Sequence, residues 1–128
     1  MGIEGDDGKP LMFAACNVGA SSPEEYGHYF MWGSTKPNDN STCNWADPNL
    51  PYHTGTSSAS GWTKYNTKSS YGTIDNKTVL DPEDDAAHVI MGGNWRMPTT
   101  TELQKLAKVS NTWTAENGVY GRKWTSGN

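Results

Sequence analysis

Gly92-Gly93-Asn94-Trp95-Arg96-Met97-Pro98-Thr99-Thr100-Thr101-Glu102 is the stretch whose reading decides the fold. The paired glycines end whatever helix precedes them. Pro98 pushes Met97 out of the helical region, so residues 94–97 run extended. Thr99-x-x-Glu102 is a capping box, in which the Thr hydroxyl and the Glu carboxylate each satisfy a backbone amide at a helix start. Leu103, Leu106, Ala107 and Val109 follow at helical spacing. They predict a helix to about Ser110 with those side chains on its inner face.

Upstream, Asp81-Pro82-Glu83-Asp84-Asp85 is a second helix start. Asp81 is the expected cap, Pro82 fits the first helical position, and acids in the first turn favour the dipole. Ala86-Ala87-His88-Val89 continue that helix. Ser22-Pro23-Glu24-Glu25 carries the same signature and predicts a third short helix. Residues 10–15 read as a short strand, and residues 1–9 as a flexible tail or a cloning remnant. Downstream, Asn117-Gly118 signals a hairpin turn. Between these elements, residues 34–73 form a long Ser, Thr, Asn and Gly-rich loop carrying Trp45, Tyr52, Trp62, Tyr65 and Tyr71. A loop of that length is expected to be functional or packed by its own side chains.

The composition agrees with a loop-rich domain. Leu, Ile, Val and Phe together supply 15 of 128 residues, while six Trp and six Tyr supply the bulk. Ten basic and fourteen acidic residues give a formal net charge of −4. That sign argues against duplex nucleic acid or an anionic membrane surface as partner. The apolar runs are far shorter than the roughly 20 residues of a spanning helix. No signal-peptide core is present in this chain. Cys16 and Cys43 lack zinc-site spacing. They could pair as a disulfide or stand as reduced thiols, and spacing alone does not choose.

Three segments share a resemblance. They run from Cys16 through Ser22-Pro23-Glu24-Glu25-Tyr26-Gly27 to Trp32-Gly33, from Leu80 to His88, and from Gly92 to Thr99. In this order they resemble the Fibrobacter succinogenes major paralogous domain, a family of exported and surface proteins of Bacteroidetes and Fibrobacteres. Trp95-Arg-Met-Pro-Thr-x-x-Glu102 is also similar to a segment of formylglycine-generating-enzyme-like domains. The resemblance implies an α+β, C-type-lectin-like fold over residues 10–128, with two or three short helices packed on a small antiparallel sheet. It implies a secreted or cell-surface setting. His28, Ser34 and Leu103 depart from the patterns, which often have Asp, Glu and Trp there. The family's domains continue past the point matching Asn128, so the chain is expected to be the N-terminal portion of such a domain or a reduced version of it.

The chemistry readable from the residues is that of binding. Flat rings can cover the C–H faces of sugars while Asn and Asp hydrogen-bond to hydroxyls. Trp45, Trp62 and Tyr65, with Asn44 and Asp47, are the candidate contacts for a polysaccharide or glycan, and a protein partner is the alternative. Asp81, Asp84 and Asp85 could hold Ca²⁺, although they lack calcium-loop spacing and capping is the plainer reading. His88 falls on the same helical face as Asp81. Arg96 is expected to pair with Asp84 or Asp85. Adjacent acids such as Glu24 and Glu25, or Glu83 and Asp85, do not face one another across a cleft, and glycoside hydrolysis requires that. No nucleophile–base signature stands out, so an enzyme is the less favoured class. An unfinished sheet edge could pair with a second chain.

Overall fold

The computed structural model describes residues 2–39 and 44–125. The architecture is small and α+β. Helix α1 is Ala86–Met91, helix α2 is Thr100–Lys108, and strands β1 (Thr112–Glu116) and β2 (Val119–Lys123) form one antiparallel hairpin. Single 3-10 turns occupy Ser69–Tyr71 and Pro82–Asp84. The chain divides into two compact units, Met1–Gly27 with Pro98–Asn128, and His28–Met97. Among the described residues no helix is long and apolar enough to cross a membrane.

The first unit is organised by the capping box. Thr99 Oγ1 accepts from the Glu102 amide at 3.2 Å, and Glu102 Oε2 accepts from the Thr99 amide at 2.9 Å. Glu102 has no exposed surface at all. Its other oxygen accepts from the Asp6 amide at 3.2 Å, and Thr99 Oγ1 donates to Asp6 Oδ2 at 2.7 Å. One local helix start thus fastens the N-terminal segment to α2. Residues 3–11 are therefore not a loose tail. They close into a turn with Gly5 N–H to Lys9 O and Leu11 N–H to Ile3 O, both 2.8 Å, and Ile3 is buried. A Cβ on Gly5 would lie 3.1 Å from Glu102 Oε1, which is why glycine suits that approach. The expected strand at residues 10–15 reduces to one bridge, Glu4 to Pro10.

Helix α2 forms where the spacing places it, but its face is rotated. Glu102 is buried and Lys105, Leu106 and Val109 are half-buried, whereas Leu103 is 48% exposed and Ala107 is exposed. The buried carboxylate, rather than the first leucine, sets which side turns inward. Trp124 Nε1 donates at 3.1 Å to the Leu106 carbonyl, which also accepts the Val109 amide at 3.0 Å, so the last turn is closed by two donors on one acceptor. The hairpin follows its signal: Asn117 and Gly118 sit at φ 49° and 80°, the left-handed pair that a type I′ turn needs. The expected helix at residues 22–25 is only a turn. Glu25 Oε2 accepts from the Ser21 amide, and Gly27 (φ 70°) folds the chain back so closely that a Cβ there would sit 2.5 Å from the Val18 carbonyl.

In the second unit the helix cap is shifted by one turn. Asp81 makes no capping bond, and Asp85 (φ −94°, ψ 109°) interrupts the 3-10 turn and restarts the helix. Asp85 Oδ1 accepts from Ala87 N–H at 2.9 Å and His88 N–H at 3.3 Å, while Oδ2 accepts from Met97 N–H at 2.7 Å. The extended 94–97 segment is thereby held to α1, assisted by a 3.2 Å bond between His88 Nδ1 and the Trp95 carbonyl. The long loop is closed by polar groups as well as rings. Asn66, 4% exposed, donates to the Lys68 and Thr73 carbonyls and accepts from Lys68 N–H. Asp75 accepts from the Tyr65, Asn66 and Lys77 amides.

Glu102→Ala removes a cap and leaves the Asp6 and Thr99 amides without their acceptor, so it is expected to destabilise the first unit by roughly 2 kcal/mol. Leu103→Gln on the same helix is expected to change stability by less than about 0.5 kcal/mol. Denaturant unfolding followed by tryptophan emission checks both, and equal effects would mean that the leucine face carries the helix.

Candidate aromatic site

Two left-handed tyrosines frame the site. Tyr52 and Tyr65 have φ of 58° and 59°. For a bulky L-residue that conformation costs roughly 1–2 kcal/mol. Both are held there through their hydroxyls. Tyr52 donates to Asp84 Oδ1 at 2.6 Å and Tyr65 to Asp84 Oδ2 at 2.5 Å. The two rings meet edge to face at 5.6 Å, and Lys64 Nζ lies beside both, 4.8 and 4.7 Å from their centroids, reaching Asp84 at 2.6 Å and Asp81 at 2.8 Å. The ammonium thus has two π-faces and two carboxylates around it. Lys77 pairs with Asp81 from the outer side at 2.7 Å.

These contacts set the protonation states. Hydrogen bonds from Lys64 and then Lys77 draw Asp81 down from 3.8 to about 2. Burial pushes the Asp84 carboxyl up, but bonds from Lys64, Tyr52 and Tyr65 outweigh it and hold it below the usual range. Asp81, then Asp84 and Tyr65, hold Lys64 protonated well above an ordinary lysine. The Asp84 bond raises the Tyr52 hydroxyl, while burial and then Asp84 raise that of Tyr65. All these groups are locked in one charge state near neutrality.

The chain between the two tyrosines doubles back as a narrow loop. Thr63 N–H bonds to Tyr52 O at 2.8 Å and Thr54 N–H to Gly61 O at 3.1 Å, with His53 bridged to Trp62. Trp62 is also bridged to Gly72, where a Cβ would collide with the Trp62 carbonyl at 2.2 Å. His53 and Trp62 stack edge to face at 5.2 Å, and Trp45 lies 5.8 Å from His53 and 6.0 Å from Trp62. Trp45 is 43% exposed, whereas Trp62 and His53 are half-buried. His53 Nδ1 accepts from the Gly55 amide at 3.2 Å, which leaves the ring proton on Nε2. Nε2 is buried and has no hydrogen-bond partner among the described residues.

Of the residues expected to contact a ligand, Trp45 and Trp62 are brought together. Tyr65 belongs to the Asp84 clamp, and its hydroxyl also accepts from the Asp81 amide at 3.0 Å. Asn44 and Asp47 lie beside Trp45 in sequence but close their own turns, accepting from Ala46 N–H and Asn49 N–H, both at 2.9 Å. His53 was missed. Its signal was local, a ring next to Tyr52 in a loop already rich in aromatics. The expected calcium ligands diverge: Asp81 and Asp84 converge on Lys64, while Asp85 points at backbone amides. Among the described residues no group of three or more His, Cys, Asp or Glu is placed to hold a metal ion. Arg96 donates to the Met97 carbonyl at 3.1 Å, while Asp84 and Asp85 are occupied as described. Cys16 is half-buried with a free thiol, and Cys43 lies outside the described residues, as does any pairing between them.

The first unit holds an open groove of about 490 Å³ beside the hairpin, lined in part by Phe13, Tyr26, Tyr120 and Trp124. Its acids are engaged, Glu24 with Asn117 at 2.6 Å and Glu116 with Lys123. None of the expected contact residues lines it. No family model, no curated protein and no solved structure matches this chain.

The clamp has a definite acid signature. Because the folded-state Asp81 carboxyl lies at about 2 rather than 3.8, its contribution is complete above about pH 5 and is lost as pH falls through 3.8 toward 2. Stability measured by denaturant midpoint is expected to drop across that window. Asp81→Asn should lower the midpoint at neutral pH and flatten the drop. An unchanged slope in the variant would mean that other carboxylates carry the acid response.

Proposed function

We propose that the chain is a non-catalytic carbohydrate-binding module in which the Trp45 ring is the stacking face. One observation carries this reading. Trp45 exposes 43% of its surface yet is braced from behind by two further rings, His53 and Trp62. A large flat ring that is both open to solvent and held rigid loses little freedom when a ligand covers it. Asn44, Asp47 and Asn49 surround it in sequence, and each retains polar capacity beyond its turn bond. The nearby charged groups are tied into ion pairs and caps, an arrangement that maintains shape rather than one that passes protons.

The same reading places the chain with the exported bacterial domains that its three motifs resemble, and gives it a C-type-lectin-like plan. Two helices, a small antiparallel sheet and a long stabilised loop support that plan. The natural setting on this reading is a secreted or cell-surface protein, and the partner is a plant or host polysaccharide. The proposed contact needs no calcium, since the three candidate aspartates serve Lys64, Lys77 and backbone amides.

Titration of soluble plant and host polysaccharides against tryptophan emission tests the reading. A saturable change with one polysaccharide class is expected, and EDTA should leave it unchanged. Trp45→Ala is expected to weaken binding by about 2 kcal/mol, roughly 30-fold in Kd, with little change in Tm. A loss of Tm without a loss of affinity would make the ring structural. Emission that no polysaccharide moves would turn the exposed rings over to a protein partner.

A further inference from the structure

We infer that Lys64 is a positioning residue for the aromatic face, acting through the two left-handed tyrosines without touching the ligand. The inference rests on the carbohydrate-binding reading for its functional consequence, but its structural part stands on separate contacts. Tyr52 is covalently next to His53, and Lys64 and Tyr65 follow Trp62 by two and three residues. The turn that carries His53 and Trp62 therefore begins at one strained tyrosine and runs into the other. A tyrosine released from the left-handed region would swing the chain direction on its side of the turn, and the rings behind Trp45 would move with it. What opposes release is the shared Asp84 carboxylate, the edge-to-face contact of the two rings and the ammonium that lies over both.

Asp84 alone would not serve. Its carboxylate is 10% exposed and accepts both phenols, so it needs a counter-charge at close range. Lys64 supplies that charge from beside the two touching rings, over both of their faces. A neutral side chain of the same length would cover the same ring faces but leave the carboxylate without a counter-charge. Trp32, edge-on to Tyr65 at 6.0 Å, extends the same packed group. The site's rigidity is thus set at a cation that lies outside the proposed contact surface.

Lys64→Ala tests this by chemical rescue. Trp45 and Trp62, 6.0 Å apart at 83°, are close enough to give an exciton signal in far-ultraviolet circular dichroism. Trp45→Phe identifies the part of the spectrum that belongs to the pair. Lys64→Ala is expected to lose that signal and to weaken polysaccharide binding roughly tenfold. Millimolar n-propylammonium, which replaces the deleted atoms, should restore both, and n-propanol should restore neither. An unchanged exciton signal in Lys64→Ala, or equal rescue by propanol, would overturn the inference. If Lys64→Ala does not fold, Tyr65→Phe removes only the hydroxyl, and a wild-type signal there would overturn it too. If the wild-type chain binds no polysaccharide, the functional reading fails while the exciton and rescue arms still decide the role of Lys64.

Discussion

Glu102 has no exposed surface, and Asp84 and Asp85 have 7% and 4%. In a chain with so few aliphatic side chains, these carboxylates occupy the places where leucines would ordinarily stand. Among the described residues only Ile3, Met31, Leu50, Leu80 and Ala86 are buried apolar groups. A buried charge is tolerable only when its lone pairs are filled. Glu102 uses amides of Asp6 and Thr99, Asp85 uses amides of Ala87, His88 and Met97, and Asp84 uses two phenols and an ammonium. Each carboxylate joins segments that lie apart in sequence, and each does so directionally. Glu102 and Asp85 each use their two oxygens to hold amides of two different segments, which fixes direction as well as distance.

The consequence for local structure runs through both units separately. In the first, the capping box orients α2 so that Leu103 faces outward, because the glutamate must face the N-terminal turn. In the second, Asp85 takes the cap that Asp81 would have held, which frees Asp81 for Lys64 and Lys77. The strain at Tyr52 and Tyr65 is affordable for the same reason: charge-assisted bonds are about twice as strong as neutral ones and fix the phenols in place. Strain of this kind concentrates where geometry matters for function.

Signals that depend on neighbours in sequence were legible. Thr99 with Glu102 and Asn117 with Gly118 each complete their own geometry within four residues, and both are realised. The general expectation that the long loop is packed by its own rings also holds, through Trp45, Trp62, Tyr52 and Tyr65. Signals that depend on a distant partner were not legible. Asp81 next to Pro82 has every local mark of a cap, and only the position of Lys64 shows why it is used otherwise. The burial of Glu102 depends on Asp6, and the role of Tyr65 depends on Asp84; neither partner is within a turn of the residue it explains. The seryl start at residues 22–25 carried correct local chemistry, but Gly27 reverses the chain before a second helical turn can form.

The division of labour among the rings follows from the same polar economy. A tyrosine can be taken inward only where an acceptor meets its hydroxyl, and Asp84 provides one for each of two. Those two rings are thereby committed to structure, whatever their spacing in the loop suggests. Trp45 meets its neighbours through ring faces and edges, so it can brace against His53 and Trp62 while half its surface stays open. An aromatic-rich loop in an aliphatic-poor chain therefore sorts its rings by their polar handles. Rings whose handles find the Asp84 carboxylate are fixed half-buried through their hydroxyls, whereas Trp45 is held by ring contacts and stays 43% exposed.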